Sequence, residues 1–281
     1  MKKLKYLLLG MVLLLTGCFN NDSMEDIKIT TTIYPIEYIV NTLYGEHSTI
    51  NSLYPHDTEV NNFKITNVLL KQYSNTDLYI FNGLTKEKDY IKDLRKNNTH
   101  LKIIDVTSNM DYNYSIEELW LDPNNLLTIA NNIKKGFDEY IKSAYLKDEI
   151  NKNYEQLKIE LTNLDGKYYS SVKKATTKTI VVTDDAFKFL EKYGLTVISI
   201  DPDTAKDKDL ELARNELEYN NFIFIKYKEE DNDNILSVIN EDTNKIELYT
   251  LTNLSDINIG VENYITLLNQ NLENLKQVIY Q

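Results

Sequence analysis

The feature that most constrains the fold lies in the middle of the chain. From Lys147 to about Val172, the apolar residues Ile150, Tyr154, Leu157, Leu161, Leu164 and Tyr168 recur every three or four positions. That is the period of one helix face. About 25 residues at 1.5 Å each make a rod of roughly 38 Å, long for a globular helix and able to reach across two lobes. Asp165-Gly166 is its weak spot, because glycine is a poor helix former. A second helix precedes it. Asp122-Pro123 supplies a cap and a first-turn proline, and Leu126, Leu127, Ala130, Ile133, Phe137 and Ile141 then share a face.

Strand and helix patterns alternate on both sides of this pair. Upstream, the spacing predicts strands over 27–32, 49–53, 78–81 and 101–106, with helices opened by Pro35 and running over 65–73 and 86–96. Downstream, it predicts strands over 179–183, 195–200, 221–225 and 245–251, with helices over 185–193, 210–219, 232–240 and 261–280. Such alternation with short connections gives parallel sheets covered on both faces. The expected architecture is α/β, two parallel-sheet α/β lobes joined by a long backbone helix. The N-terminal lobe is expected over 27–146, the helix over 147–173 and the C-terminal lobe over 174–281.

The start of the chain has a different character. Lys2, Lys3 and Lys5 precede an apolar run from Tyr6 to Leu15, then Leu15-Thr16-Gly17-Cys18. A basic start, a short apolar core and small residues before a cleavage point make a secretory signal. The run is too short to span a bilayer as a mature helix. Its ending resembles a lipobox, which implies a signal peptide over 1–17, a lipid on Cys18 and a polar tether over 18–26. The alternative is a plain N-terminal membrane anchor with a chance cysteine. On the first reading the protein is extracytoplasmic and lipid-anchored to the cell membrane. Cys18 is the sole cysteine, so the exported body has no disulfide to rely on.

Charge narrows the partners. The net charge is −12, and loss of the three leader lysines takes it to −15. An acidic surface of this kind argues against nucleic acid and against electrostatic binding to anionic lipid. It suits cation handling, and equally well simple solubility.

In open parallel sheets, ligands bind beyond the carboxyl ends of the strands. His56 follows the strand predicted to end at Leu53. Asp184 follows Thr183, Thr250 closes a late strand, and Glu118 lies after the strand predicted to end at Val106. These four can converge between the lobes. Bland readings exist for each: a lone surface histidine, an acidic helix cap at Asp184-Asp185, and surface charges at Glu117 and Glu118. His47 and His100 precede their strands and read as surface residues.

Several segments in order carry a resemblance. They are Thr31-Thr32-Ile33-Tyr34-Pro35, Pro55-His56-Asp57, Asn82-Gly83-Leu84, Trp120-Leu121-Asp122-Pro123, Asp185-Ala186-Phe187, and Asn263-Tyr264-Ile265 through Asn271-Leu272-Glu273-Asn274-Leu275-Lys276. With the lipobox, this set resembles the substrate-binding lipoproteins of zinc and manganese ABC importers, over nearly all of the mature chain. The resemblance implies two lobes on one backbone helix, a divalent cation between them, an ABC permease as partner, and a monomer without enzymatic activity. It also implies a ligand set. His56 matches the histidine of the Pro-His motif. Glu118 stands two residues before the tryptophan, where the family has histidine. Asp184 stands before Asp-Ala-Phe, where histidine is usual, and Thr250 aligns with an acidic position. The His-rich acidic loop of many zinc members is absent, and Thr58-Glu59-Val60-Asn61 replaces the common Tyr-Glu-Pro.

The shell is therefore harder than the family's. Imidazole suits zinc, while carboxylates and water suit manganese, and zinc also accepts carboxylate oxygens. A second reading keeps the fold and loses the metal, leaving a protein that binds another small ligand or a surface partner. A third, with Glu118 and Asp184 as an acid/base pair, finds no nucleophile, cofactor motif or Gly-rich phosphate loop to support it.

Overall fold

A computed structural model describes residues 24–55, 60, 63–252 and 263–281. In the N-terminal lobe β1 (Ile27–Thr31), β2 (Ser48–Ser52), β3 (Leu78–Phe81) and β4 (Lys102–Asp105) form one parallel sheet in the order β2-β1-β3-β4. In the C-terminal lobe β5 (Thr179–Val182), β6 (Thr196–Ser199), β7 (Phe222–Lys226) and β8 (Asn244–Leu248) form a second, in the order β6-β5-β7-β8. The two lobes thus repeat one topology. β3 is buried along its whole length and β5 along all but its first residue, which is why both read as continuous apolar runs.

The helices are α1 (Tyr34–Tyr44), α2 (Asn67–Tyr73), α3 (Tyr90–Asn97), α4 (Glu118–Leu121), α5 (Pro123–Tyr140), α6 (Ala144–Lys174), α7 (Asp207–Asn220), α8 (Asp233–Val238) and α9 (Tyr264–Ile279). The long helix α6 has 31 residues, about 46 Å at 1.5 Å per residue. It begins earlier than the apolar periodicity predicts, because the Ser143 side chain accepts from the Leu146 amide. Lys173 and Lys174 in its last turn suit the negative end of the helix dipole. Gly166 does not break it.

Leu146, Ile150, Leu157, Leu161, Leu164, Tyr168 and Val172 of α6 belong to one buried cluster that also takes in both lobes. A smaller cluster lies under α7 and α8 and includes Val181, Ala213, Leu217, Ile223 and Ile235. The larger cluster makes the lobes one packed body around a common spine.

Two predicted helices take a different form. The segment over 86–96 divides into a 3-10 turn at Lys86–Asp89 and the helix α3. The segment at Asp185–Tyr193 is a 3-10 helix throughout, closed by Gly194 in the left-handed region at φ 100°. Its buried residues Phe187, Leu190 and Tyr193, with Ala186 and Phe189, repeat every three positions, the period of a 3-10 helix.

Gly136 on α5 presses against β4. A Cβ there would lie 2.4 Å from Ile104 Cδ1. Overpacking of this kind costs roughly 1–3 kcal/mol, against about 1 kcal/mol of improved helix propensity for alanine. Gly136→Ala is expected to lower stability by about 1 kcal/mol in urea denaturation. A variant more stable than the wild type would show that α5 does not press on β4.

Candidate metal site

The carboxyl ends of both sheets face one cleft of about 680 Å³ between the lobes. The N-terminal lobe supplies Ile33 after β1 and Asn82, Thr85 and Glu87 after β3. The C-terminal lobe supplies Thr183 and Asp184 after β5, Asp201 after β6, Lys226 and Glu229 at the end of β7, and Tyr249 and Thr250 after β8. Glu117 and Trp120 line it from the middle segment. The strand-end rule thus locates the cleft from sequence.

The lobes are stitched together along its floor. Trp120 Nε1 donates to the Thr250 carbonyl at 2.9 Å, and Tyr264 Oη donates to the Trp120 carbonyl at 2.6 Å. The Tyr34 amide donates to the Thr252 carbonyl at 3.2 Å. Lys192 bridges Asp122 and Asp165, and the Tyr193 hydroxyl donates to Asp165 at 2.7 Å. Tyr34, Tyr38 and Tyr264 pack ring on ring beside this seam. A seam held in this way favours local rearrangement over wide hinge opening.

The predicted ligands fall into three groups. Asp184 lines the cleft. One of its oxygens accepts from the Ala186 amide at 2.8 Å, and the other lies 3.4 Å from Lys226 Nζ. It is both helix cap and ion-pair partner. Thr250 also lines the cleft, and its carbonyl holds Trp120. Glu118 is placed elsewhere. It is buried, and its carboxylate accepts from the Asn113 and Tyr114 amides at 2.5 and 3.4 Å. The side chain ties down the loop before α4 and is not among the cleft-lining residues, whereas its neighbour Glu117 is. His56 and Cys18 lie outside the described residues. Among the described residues, no three His, Cys, Asp or Glu side chains are grouped to hold a metal ion.

The histidines predicted to be peripheral sit away from the cleft. His47 Nε2 pairs with Glu149 at 3.0 Å, and His100 is exposed after α3.

The structure adds charged groups that the motifs did not mark. Glu229 accepts from the Thr183 hydroxyl and from the Lys226 amide. Burial pushes its carboxyl above the usual range, against the pull of those two hydrogen bonds. Asp201 accepts from the Asp185 and Asp203 amides at 3.1 and 2.9 Å, and burial raises its carboxyl too. Burial pulls the Lys226 ammonium down, but Asp184, Glu117 and Glu229 outweigh it and the net shift is upward. The C-terminal wall is therefore crowded with carboxylates that favour any nearby cation. Asp201 and Lys226 stand directly beyond β6 and at the end of β7, so the strand-end rule could have flagged both.

Across the cleft, Glu87 is fully buried, and its Oε2 accepts from the Asn82 amide at 2.8 Å. Burial raises its pKa to about 7, with Asn82, Thr32, Thr85 and Lys86 pulling the other way. No sequence motif marked it.

The family described as zinc-uptake complex component A, periplasmic (ZnuA), matches residues 29–278 of this chain. No curated protein matches the sequence. Among solved structures, the Zn(II)-bound ZnuA-like domain of Streptococcus pneumoniae AdcA is similar with a TM-score of 0.74 at 21% identity, over 91% of this chain and 100% of that one. Zn(II)-bound AdcA from the same organism gives a TM-score of 0.73 at 20% identity, over 91% of this chain and 58% of that one. The metal-dependent lipoprotein YcdH of Bacillus subtilis gives 0.73 at 20% identity, over 91% and 100%. At these identities the likeness to the structures is one of fold.

Proposed function

The chain belongs to the zinc-uptake complex component A family of solute-binding proteins, and from that premise we propose that it captures a divalent cation, zinc or manganese, in the cleft between its lobes. It then hands the ion to the permease of an ABC importer. It works outside the cell membrane as a monomer tethered by lipid on Cys18, and it catalyses no reaction. Among the described residues no helix is long and apolar enough to cross a membrane.

The observation that carries this reading is the wall of carboxylates at the carboxyl ends of β5 to β7, Asp184 foremost, facing the cleft that also receives Thr250. His56, following Pro55 after β2, is proposed as the imidazole ligand and Asp184 as the carboxylate ligand. Thr250 can offer a hydroxyl or a water link. The proposed part for Glu118 is to position the loop that presents Glu117, whose carboxylate is the one lining the cleft. One imidazole with carboxylates suits manganese well and is acceptable to zinc. The tether would keep the loaded cleft close to the permease and raise its effective concentration there.

The test is calorimetric titration of the metal-free full chain in detergent with zinc and with manganese. At least one ion is expected to bind, and His56→Ala is expected to weaken it by tenfold or more. No binding of either ion, or equal binding by the variant, would sink the reading. A second reading, in which the metal site is lost and another small ligand or surface partner is bound, is favoured by the ion pair between Asp184 and Lys226. Failure of both ions to bind would support it.

A further inference from the structure

A cation already stands in the cleft. Lys226 ends β7, and its backbone amide is fixed by the Thr183 hydroxyl at 3.1 Å and Glu229 at 3.2 Å. Its ammonium lies 3.4 Å from Asp184 Oδ2, on the oxygen that does not cap the Asp185–Tyr193 helix. Glu117 and Glu229 attract the same ammonium. So the carboxylate proposed as the cargo's ligand is neutralised by a side chain of the protein itself.

We propose that Lys226 is a tethered competitor for the cargo, occupying the carboxylate side of the cation site in the empty protein and being displaced when a divalent ion enters. The inference rests on the metal-capture reading above and adds to it the residue that sets affinity.

Three physical facts support displacement rather than permanent blockade. Lys226 is about half exposed, with 48% of its side chain accessible against 19% for Asp184, so the ammonium has a short route to water. Its four-carbon stem is flexible, and its head is a compact, strongly hydrated point charge. A divalent ion brings twice the charge to the same carboxylates, so their attraction for it at equal distance is about twice that for an ammonium. Until the ion arrives, the ammonium offsets the repulsion among Asp184, Glu117 and Glu229. The consequence is a site tuned to weaker capture and readier release than the carboxylates alone would give.

The experiment is a titration of the metal-free full chain with zinc and with manganese, comparing wild type, Lys226→Met, Asp184→Asn and the double variant. Lys226→Met keeps the length of the side chain and removes the charge. It is expected to bind the ion roughly tenfold more tightly than wild type, and the gain is expected to vanish in the Asp184→Asn background. Lys226→Gln provides a second neutral form if the methionine variant does not fold by circular dichroism. Measurable binding whose affinity is unchanged or weakened by loss of the charge overturns this proposal and leaves the metal-capture reading standing. A gain that persists without Asp184 also overturns it, because the ammonium would then act elsewhere. No binding by any of the four proteins overturns both.

Discussion

Trp120→Ala is expected to cost about 4 kcal/mol of stability, the range for truncating a buried tryptophan. The ring is 3% exposed, yet it sits at the edge of the cleft. Three losses coincide at this site. The apolar ring surface is no longer buried, a cavity opens between α4 and the seam, and the Thr250 carbonyl loses its donor. Trp120→Phe separates these effects. It keeps one aromatic ring in place, removes the indole N–H and leaves a smaller cavity than alanine does, so its expected cost is about 2–3 kcal/mol. Urea denaturation monitored by far-ultraviolet circular dichroism measures both. A loss below about 1 kcal/mol for the alanine variant would show that the lobes are held by α6 and the common core alone. The alanine variant is also expected to weaken cation capture, because Trp120 fixes the backbone that presents Thr250.

Much of this architecture is written in local patterns. The α6 stripe from Ile150 to Tyr168 is legible because every member is buried or half-buried against the same core, so burial imposes the period directly. Asp122-Pro123 is legible because capping is a local interaction, and the Asp122 side chain does accept from the Asn124 amide. The cleft is legible because the strand-end rule follows from topology, and Asp184 and Thr250 are both on its lining.

What escapes sequence reading is decided by tertiary contacts. Glu117 and Glu118 are neighbours at the start of one short helix turn, and nothing local says which carboxylate faces the cleft. The loop over 113–114 decides it by presenting two amides to Glu118. Lys226 carries no ligand signal, because a lysine repels the cation that a metal site binds. The strand predicted to stop at Ile225 runs one residue further, which carries Lys226 onto the rim. Glu87 carries no local signal in the segment over 86–96, and only the fold shows that its carboxyl is enclosed.

Glu87 gives the second large effect. Its pKa is about 7 in the folded protein, against 4.5 in an open chain, and burial is the main cause. Below about pH 4.5 the group is protonated in both states and carries no penalty. Between those values the unfolded chain ionises freely, while the folded protein holds the proton. Above pH 7 the folded protein ionises as well, with the charge enclosed. The stability contributed by the neutral form is therefore complete at low pH and lost as pH rises toward the folded value, by about 3 kcal/mol in all. Glu87→Gln removes the ionisation and keeps an oxygen to accept from the Asn82 amide. The variant is expected to be more stable than wild type by about 2–3 kcal/mol at pH 8, with the difference shrinking toward zero near pH 4.5. Asp201 and Glu229 are shifted in the same direction by burial, and they slope both proteins alike. The difference between the two curves, measured by urea denaturation of metal-free protein across that range, thus isolates Glu87. Parallel curves would mean that this carboxyl ionises without penalty, and that the charge on the N-terminal wall of the cleft is present at neutral pH to receive a cation.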